Sequence, residues 1–133
     1  MNTIITQKTL DELTEQAKVS PRQRANLDLR NSPEDTSQRM LNAIEPTAVI
    51  PIHYHRHSSE TVICLRGRLV EEFYDEVGRL TDSFELFPGG PVAVLNVPAG
   101  QLHTARALKS GTVILEMKDG KYEPGGGRTQ IDL

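Results

Sequence analysis

The chain has 133 residues and a formal net charge of −3, from 15 Lys and Arg against 18 Asp and Glu. This length suits a single domain with one hydrophobic core. The small acidic excess disfavours binding to nucleic acid or to an anionic membrane surface, which requires clustered positive charge. No apolar run approaches the length of about 20 residues that a membrane helix needs. We therefore expect a small-molecule ligand or substrate, and neither nucleic acid nor membrane as a partner.

The only cysteine, Cys64, cannot form an intramolecular disulfide, and the chain has no Cys-x-x-Cys pair for a zinc knuckle or a redox couple. Residues 1–10 lack the basic start and long apolar run of a signal peptide. Together these features predict a cytoplasmic protein.

Residues 1–37 are predicted to form a short helix and an irregular lead-in that pack on the rest of the domain. Thr9 and Glu12 fit a capping box, in which two side chains satisfy backbone N–H groups at a helix start. An apolar stripe follows at helical spacing, formed by Leu10, Leu13 and Ala17. The helix is expected to end at Ser20, because the next residue is a proline.

From residue 38 onward, short segments of β character alternate with turn residues. The candidate strands are 38–45, 48–55, 60–65, 68–75, 79–87, 92–97, 103–108 and 112–118. Short strands at near-regular spacing favour an all-β antiparallel sandwich or barrel. The predicted barrel spans residues 38–118, which leaves 119–133 as a C-terminal strap or tail.

The histidines carry the strongest functional signal. Side chains alternate along a strand, so His53 and His55 point the same way. A short polar stretch then leads to Glu60, and a hairpin turn there would place its carboxylate on the neighbouring strand, level with the two imidazoles. His103 follows a later turn, and closure of the barrel would bring it opposite this pair.

Three imidazoles and one carboxylate suit one divalent transition metal ion per chain, such as Fe, Mn, Ni, Co or Zn. Four protein ligands leave a six-coordinate ion open to water or substrate. An isolated histidine in a strand is usually a partly buried polar residue, but this grouping is unusual in a chain with 4 histidines. His57 falls in the proposed turn, where a supporting or solvent-exposed role is favoured. Arg56 alternates away from the ligands and is predicted on the barrel exterior or at a dimer interface.

Two motifs with correct spacing resemble those of the cupin superfamily. The first is the run His53-x-His55-x4-Glu60-x6-Gly67, and the second is Pro98-x-Gly100-x2-His103. Val92 and Ala107 replace the leading glycine and trailing asparagine of the second motif, and neither position carries a ligand. The resemblance implies a cupin (jelly-roll-like) antiparallel β-barrel with a short N-terminal helix, whose metal ligands are His53, His55, Glu60 and His103.

More narrowly, the chain resembles the small WbuC-type cupin metalloproteins nearly end to end. The matching segments are 20–27, 38–43, 51–53, 73–78 and 116–124. Members of that group are known largely from gene neighbourhoods for lipopolysaccharide O-antigen synthesis, and their reaction is not settled. The resemblance also implies a homodimer, for which the N-terminal apolar stripe and the exposed strand edges offer surfaces.

Strand alternation nominates further residues around the metal. Cys64 shares the inward face of its strand with Glu60 and is expected to be a small buried side chain. Asn42 is a candidate for the pocket wall. Glu116 is either a general base or, as the favoured alternative, a solvated surface carboxylate. Three more side chains either reach over the barrel mouth to an anion or a sugar, or, as is favoured for the arginines, form surface ion pairs: Arg24, Arg39 and Tyr122.

These observations leave three classes of function open. The first is a metal-dependent enzyme acting on a small polar or sugar-type substrate, with an Fe-dependent dioxygenase as a variant. The second is a non-catalytic, metal-dependent small-molecule sensor or binding module. The third is a structural dimer with a vestigial site, which the complete ligand set disfavours.

Overall fold

The computed structural model describes residues 3–121 and 128–130. Within these residues the helix and strands are α1 (Gln7–Val19), β1 (Arg24–Asp28), β2 (Ser37–Ile44), β3 (His53–His55), β4 (Glu60–Arg66), β5 (Leu69–Tyr74), β6 (Leu80–Leu86), β7 (Leu95–Val97), β8 (Leu102–Ala107), β9 (Thr112–Asp119) and β10 (Arg128–Gln130). Among the same residues, no helix has the length and apolarity that a membrane crossing requires.

The strands form two antiparallel five-stranded sheets. Sheet A has the order β1-β2-β9-β4-β7, and sheet B has the order β10-β3-β8-β5-β6. The inner faces of the two sheets share a cluster of buried apolar side chains, which closes one end of the interior. The members of this cluster are Ile44, Ala48, Val62, Cys64, Leu69, Leu86, Ala105, Ala107 and Ile114. The predicted all-β antiparallel class with a short N-terminal helix is confirmed.

The start of α1 differs from the prediction. The N-cap is Thr6, whose hydroxyl accepts from the backbone N–H of Thr9, while the Thr9 hydroxyl accepts from the backbone N–H of Thr6. Thr9 is therefore the third helical residue and not the cap, and a hydroxyl replaces the carboxylate of Glu12 in closing the box. The helix ends where the sequence predicts, with Ser20 as the C-cap residue.

The apolar stripe of α1 packs on the outer face of sheet A. Its buried side chains form a second cluster with β2 and β9, whose members are Leu10, Leu13, Ala17, Leu41, Ala43 and Val113. Because the stripe is buried within the chain, it is not available as a dimer surface. Only the exposed strand edges remain as a surface for the expected dimer.

The polar stretch predicted as irregular contains strand β1, which pairs with β2 from Arg24↔Ile44 to Asp28↔Met40. Its apolar residues Ala25 and Leu27 pack against the α1 cluster, and the alternate residues face the interior. Because that interior face is polar, the strand lacks the apolar signal that marks the others. The predicted segment 48–55 is extended only at its end, where β3 pairs with β10 of the C-terminal region.

Gly67 occupies the turn between β4 and β5 with a φ of 80°. A Cβ at this position would lie 2.4 Å from the Thr112 hydroxyl oxygen. That hydroxyl in turn accepts from the backbone N–H of Arg68 at 3.1 Å. Only glycine fits this close approach and this backbone conformation, which explains the glycine that ends the first motif.

Candidate metal centre

Sheet B brings the three predicted histidines together. His53 of β3 lies directly opposite His103 of β8 in the strand register, and their ring centroids are 4.4 Å apart. His55 is two residues along β3, on the same face. One ring nitrogen from each of the three lies within 4.8 Å of the other two, and all three side chains are buried. A single ion of the first transition row can reach three nitrogens at this spacing.

The turn before β8 is tied to the end of β3. The backbone N–H of Gly100 donates to the carbonyl of His55 at 2.9 Å. Gly100 has a φ of 83°, a conformation that glycine adopts without strain. The glycine of the second motif therefore fixes the position of His103 relative to β3, although about fifty residues separate the two strands in the chain.

Backbone carbonyls set the tautomer of two of the histidines. Nδ1 of His53 lies 2.8 Å from the carbonyl oxygen of Pro51, and Nδ1 of His103 lies 2.8 Å from that of Gln101. A carbonyl oxygen only accepts, so Nδ1 carries the proton in both rings. In the neutral form of each ring the lone pair is then on Nε2, which is the nitrogen that can bind a metal.

Glu60 reaches the histidines from the opposite sheet. Its Oε2 lies 3.3 Å from Nε2 of His55 and 3.7 Å from Nε2 of His103. The predicted hairpin between the two strands is wrong, because β4 belongs to sheet A and pairs with β7 and β9. The connection over residues 56–59 crosses between the sheets, so the carboxylate faces the imidazoles across the interior rather than beside them.

The surroundings of Glu60 favour a cation. Burial alone would raise the pKa of this carboxyl, but contacts with His103 and His55 and the positive charge of Lys118 lower it overall. In the described part of the chain, Oε2 has no hydrogen-bond donor. A neutral His103 with its proton on Nδ1 presents the Nε2 lone pair to this oxygen, so either a proton on Nε2 or a cation must lie between them. The buried donor set therefore fits a divalent transition ion.

Two further predicted residues, Asn42 and Glu116, line a cavity of about 570 Å³ that opens from the histidines. The interpretation of Glu116 as a solvated surface carboxylate is wrong, because its side chain is only 20% exposed and its Oε2 lies 3.8 Å from Nζ of Lys118. Burial and the charge of Glu60 raise the pKa of Glu116 to about 7. Glu116 can therefore accept and release a proton near neutral pH.

Two other predicted site residues, Cys64 and His57, do not belong to the three-histidine group. Cys64 belongs to the apolar end of the interior, where its thiol donates to the carbonyl of Arg66 at 3.3 Å and burial raises its pKa. His57 is exposed and lines the cavity mouth. Arg56 is exposed and also lines the mouth, a position on the ligand side that the alternation of the strand did not predict. Tyr122 lies outside the described residues.

The two arginines nominated for the barrel mouth have different positions. Arg39 donates to the carbonyl of Leu29 at 3.1 Å and pairs with Asp35 at 3.0 Å, as the favoured surface interpretation predicts. Arg24 lines the cavity, on the inward face of β1. The structure thus leaves Arg24, rather than Arg39, near a ligand in the cavity.

Sequence reasoning missed Glu71, a carboxyl on β5 that lines the same cavity and is only 2% exposed. Burial raises its pKa well above the usual range, and the charges of Glu60 and Glu116 raise it further. A signal was available, because Glu71 alternates in phase with Leu69 and Phe73. A charged residue in the apolar phase of a strand faces the interior and calls for a functional explanation.

The chain belongs to a family described as a domain of unknown function (DUF6016), whose model matches residues 5–86. That range includes β3 and β4 but ends before the second motif. Among the curated proteins, no sequence matches this chain.

Several solved structures share the fold. Oxalate decarboxylase from Bacillus subtilis is 20% identical with a TM-score of 0.63, covering 81% of this chain and 27% of that one. CapF, a capsular polysaccharide assembling protein from Staphylococcus aureus, is 19% identical with a TM-score of 0.67, covering 86% and 31%. KdgF from a Halomonas species is 18% identical with a TM-score of 0.60, covering 77% and 83%.

At these identities the likeness establishes the fold, which is the cupin jelly roll. The chain spans about a third or less of the length of the decarboxylase and of CapF.

Proposed function

We propose that this member of the DUF6016 family is a metal-dependent cupin enzyme that acts on a small polar or sugar-type substrate. Its divalent transition metal ion would be held, one per chain, by His53, His55, Glu60 and His103. One observation carries the proposal: three buried imidazoles group around one point and, among the described residues, face a buried carboxylate oxygen of Glu60 that has no hydrogen-bond partner. A stable protein keeps such a set only where a cation or proton completes it.

The metal would act as a Lewis acid that polarises a carbonyl or hydroxyl oxygen of the substrate. The cavity beside it, at about 570 Å³, is in the size range that holds small organic ligands. Glu116 supplies a carboxyl that exchanges a proton near neutral pH, and Asn42 supplies a neutral amide for substrate hydroxyls. Arg24 and Arg56 place positive charge on the cavity wall and mouth, where they attract an anionic substrate.

The finer assignment is to the WbuC-type cupins, with a role linked to lipopolysaccharide O-antigen synthesis. It is supported by the segments that resemble that group and, at the level of fold, by the similarity to a capsular polysaccharide assembling protein. We extend the proposal to a cytoplasmic homodimer that assembles through sheet edges. Light scattering tests the dimer, and a monodisperse monomer at micromolar concentration would rule it out.

Metal analysis of the full chain, purified without a histidine tag, tests the metal site. We expect about one transition metal ion per chain in the wild type and none retained in His55→Ala. His57→Ala is the matched control, because it removes a neighbouring imidazole that lies exposed at the mouth. A His55→Ala protein that keeps full metal content would contradict the ligand set, and a wild type that binds no metal would indicate a vestigial site.

Turnover assays distinguish the classes of function once the metal is known. The metal-loaded protein is incubated with a panel of sugars, sugar nucleotides and small acids, and products are followed by mass spectrometry. Redox-neutral conversion supports the proposed enzyme. Oxygen consumption by the Fe form would identify a dioxygenase instead. Tight, saturable ligand binding without any product would identify a sensor or binding module.

A further inference from the structure

Glu71 is a buried carboxyl that lines the cavity. On sheet B its cross-strand neighbours are Phe84 of β6 and Ala105 of β8, neither of which has a polar side chain. The residue is 2% exposed, and among the described residues its Oε2 has no hydrogen-bond partner. Glu71 lines the cavity, so a ligand bound there would supply the partner that Oε2 lacks.

Burial is the main factor that keeps the proton on Glu71, because ionising a carboxyl at this position costs desolvation. Glu60 and Glu116 face the same cavity from sheet A. Repulsion from Glu116 adds to that cost, whereas a metal ion held by Glu60 would offset the charge of Glu60. Glu71 lacks the compensation that Glu116 gains from Lys118. It therefore keeps its proton more firmly than the other two, in agreement with its raised pKa.

The adjacent residue shows what an ordinary carboxylate on β5 looks like. Glu72 points to the opposite face of the sheet, where its Oε1 lies 3.4 Å from Nε of Arg106. Two neighbouring glutamates on one strand thus have opposite environments, one paired and near solvent, the other buried and facing the candidate metal centre. This pair provides a matched control for any experiment on Glu71.

We propose that Glu71 is a neutral carboxylic acid that donates its O–H to a carboxylate oxygen of a small organic acid bound in the cavity. The inference rests on the proposed metal site and narrows its ligand to molecules that carry a carboxylate, sugar acids included. A neutral donor favours such an anion, whereas an ionised Glu71 would repel it. Ala105 opposite Glu71 leaves room for the ligand, and Arg24 and Arg56 add positive charge along its path.

Infrared difference spectroscopy on the full, Co²⁺-loaded chain tests the protonation state, with acetate as the probe. Wild type, Glu72→Gln and Glu116→Gln should all show the C=O stretch of a buried protonated carboxylic acid, and the double variant Glu71→Gln/Glu116→Gln, which also lacks the second carboxyl that protonates near neutral pH, should show none. Adding acetate should move this band to lower wavenumber, because the O–H then donates to the anion. A wild type without the band, or a band that acetate leaves in place, would overturn the proposal.

Acetate affinity, read from the visible absorption of Co²⁺, gives a second measurement. Glu71→Gln keeps an N–H donor and should bind acetate within about threefold of the wild type. Glu71→Leu loses the donor and should bind roughly tenfold more weakly or worse, the loss expected for one hydrogen bond to a charged group. Circular dichroism verifies that the leucine variant is folded. Wild-type affinity in that variant, or no acetate binding to any variant, would overturn the proposal.

The outcome is separable from that of the proposed function. If metal analysis shows that the wild type holds no metal, the proposed enzyme fails. The carbonyl band of Glu71 and its response to acetate are then measured on the metal-free chain, where a shift still supports the inference. If metal is bound and the band does not respond to acetate, the inference fails while the metal site stands.

Discussion

The two ends of the barrel interior differ sharply, although the same strands build both. At the polar end, buried imidazoles and carboxyls face one another, and among the described residues Oε2 of Glu60 and Oε2 of Glu71 have no hydrogen-bond partner. At the apolar end, close packing excludes water. Three strands pass from one end to the other, with Glu60, His103 and Glu116 at the polar end and Val62, Ala105 and Ile114 toward the apolar end. The apolar end therefore stabilises the fold and the polar end binds ligands at a cost in stability.

The largest difference between the effect on metal affinity and the effect on stability is expected for Glu60→Gln, at the polar end. A neutral amide is a much poorer metal ligand than a carboxylate. Metal affinity should therefore fall by more than about a hundredfold, which exceeds the usual loss when a residue that only hydrogen-bonds to a ligand is replaced. The metal-free variant should be at least as stable as the wild type, because the change removes a buried charge. Competition with a chelator measures the affinity and urea unfolding measures the stability. Unchanged affinity would exclude Glu60 as a ligand.

Leu69→Ala probes the other end. Leu69 is fully buried in the apolar cluster, so removing its side chain should lower the free energy of unfolding by about 3 kcal/mol. Metal stoichiometry should stay at the wild-type value. Leu65→Ala is the control, because Leu65 of β4 is 38% exposed and the loss of its side chain should cost less than about 0.5 kcal/mol. Loss of metal in the folded Leu69→Ala protein would show that the two ends are coupled.

The fold was predictable because its signals are local. The period-2 patterns and turn residues located most strands to within a few residues, and the apolar stripe of α1 was correctly identified. The prediction failed where a strand is polar on its inward face, as in β1, whose inward residues include Arg24 and Asp28. It also failed at the helix start, where Thr6 and Thr9 cap each other with two hydroxyls rather than a hydroxyl and a carboxylate.

The site was predictable in its membership but not in its arrangement. Spacing grouped the histidines with Glu60, yet it could not show that β4 lies in the opposite sheet, since a short connection fits both a hairpin and a crossover. Glu71 was not predicted because no motif contains it. The only sequence signal is that it shares the inward-facing phase of β5 with Leu69 and Phe73. Whether Glu116 points into the interior or to solvent depends on how the two sheets assemble around β9. The sequence of β9 alone does not determine this.

A smaller effect is expected from pH acting on Glu116 in the metal-free protein. Its pKa rises from 4.5 in the unfolded chain to about 7 in the fold, because of burial and the nearby charge of Glu60. Well below pH 4.5, Glu116 is protonated in both the folded and the unfolded chain, so the raised pKa costs the folded state no stability. As pH rises toward 7, the unfolded chain ionises first, so wild-type stability should fall relative to Glu116→Gln by roughly 1 to 3 kcal/mol.

Urea titrations of the chelator-treated proteins at a series of pH values measure this difference. Glu76→Gln, at an exposed position, is the matched control. A stability difference between wild type and Glu116→Gln that is constant from pH 4 to pH 8 would contradict a raised pKa for Glu116.

The smallest effect is expected outside the barrel, at the ion pair between Arg66 and Asp11. Nη1 of Arg66 lies 2.6 Å from Oδ1 of Asp11 and ties the end of β4 to α1, but the Asp11 side chain is 67% exposed. Exposed pairs contribute little, so Arg66→Ala should lower the free energy of unfolding by about 0.5 kcal/mol, and less in high salt. A double-mutant cycle with Asp11→Ala isolates the pair. Metal affinity should not change, because α1 packs on the outer face of sheet A. A loss of metal affinity in Arg66→Ala would mean that the helix helps to position β4 and its ligand Glu60.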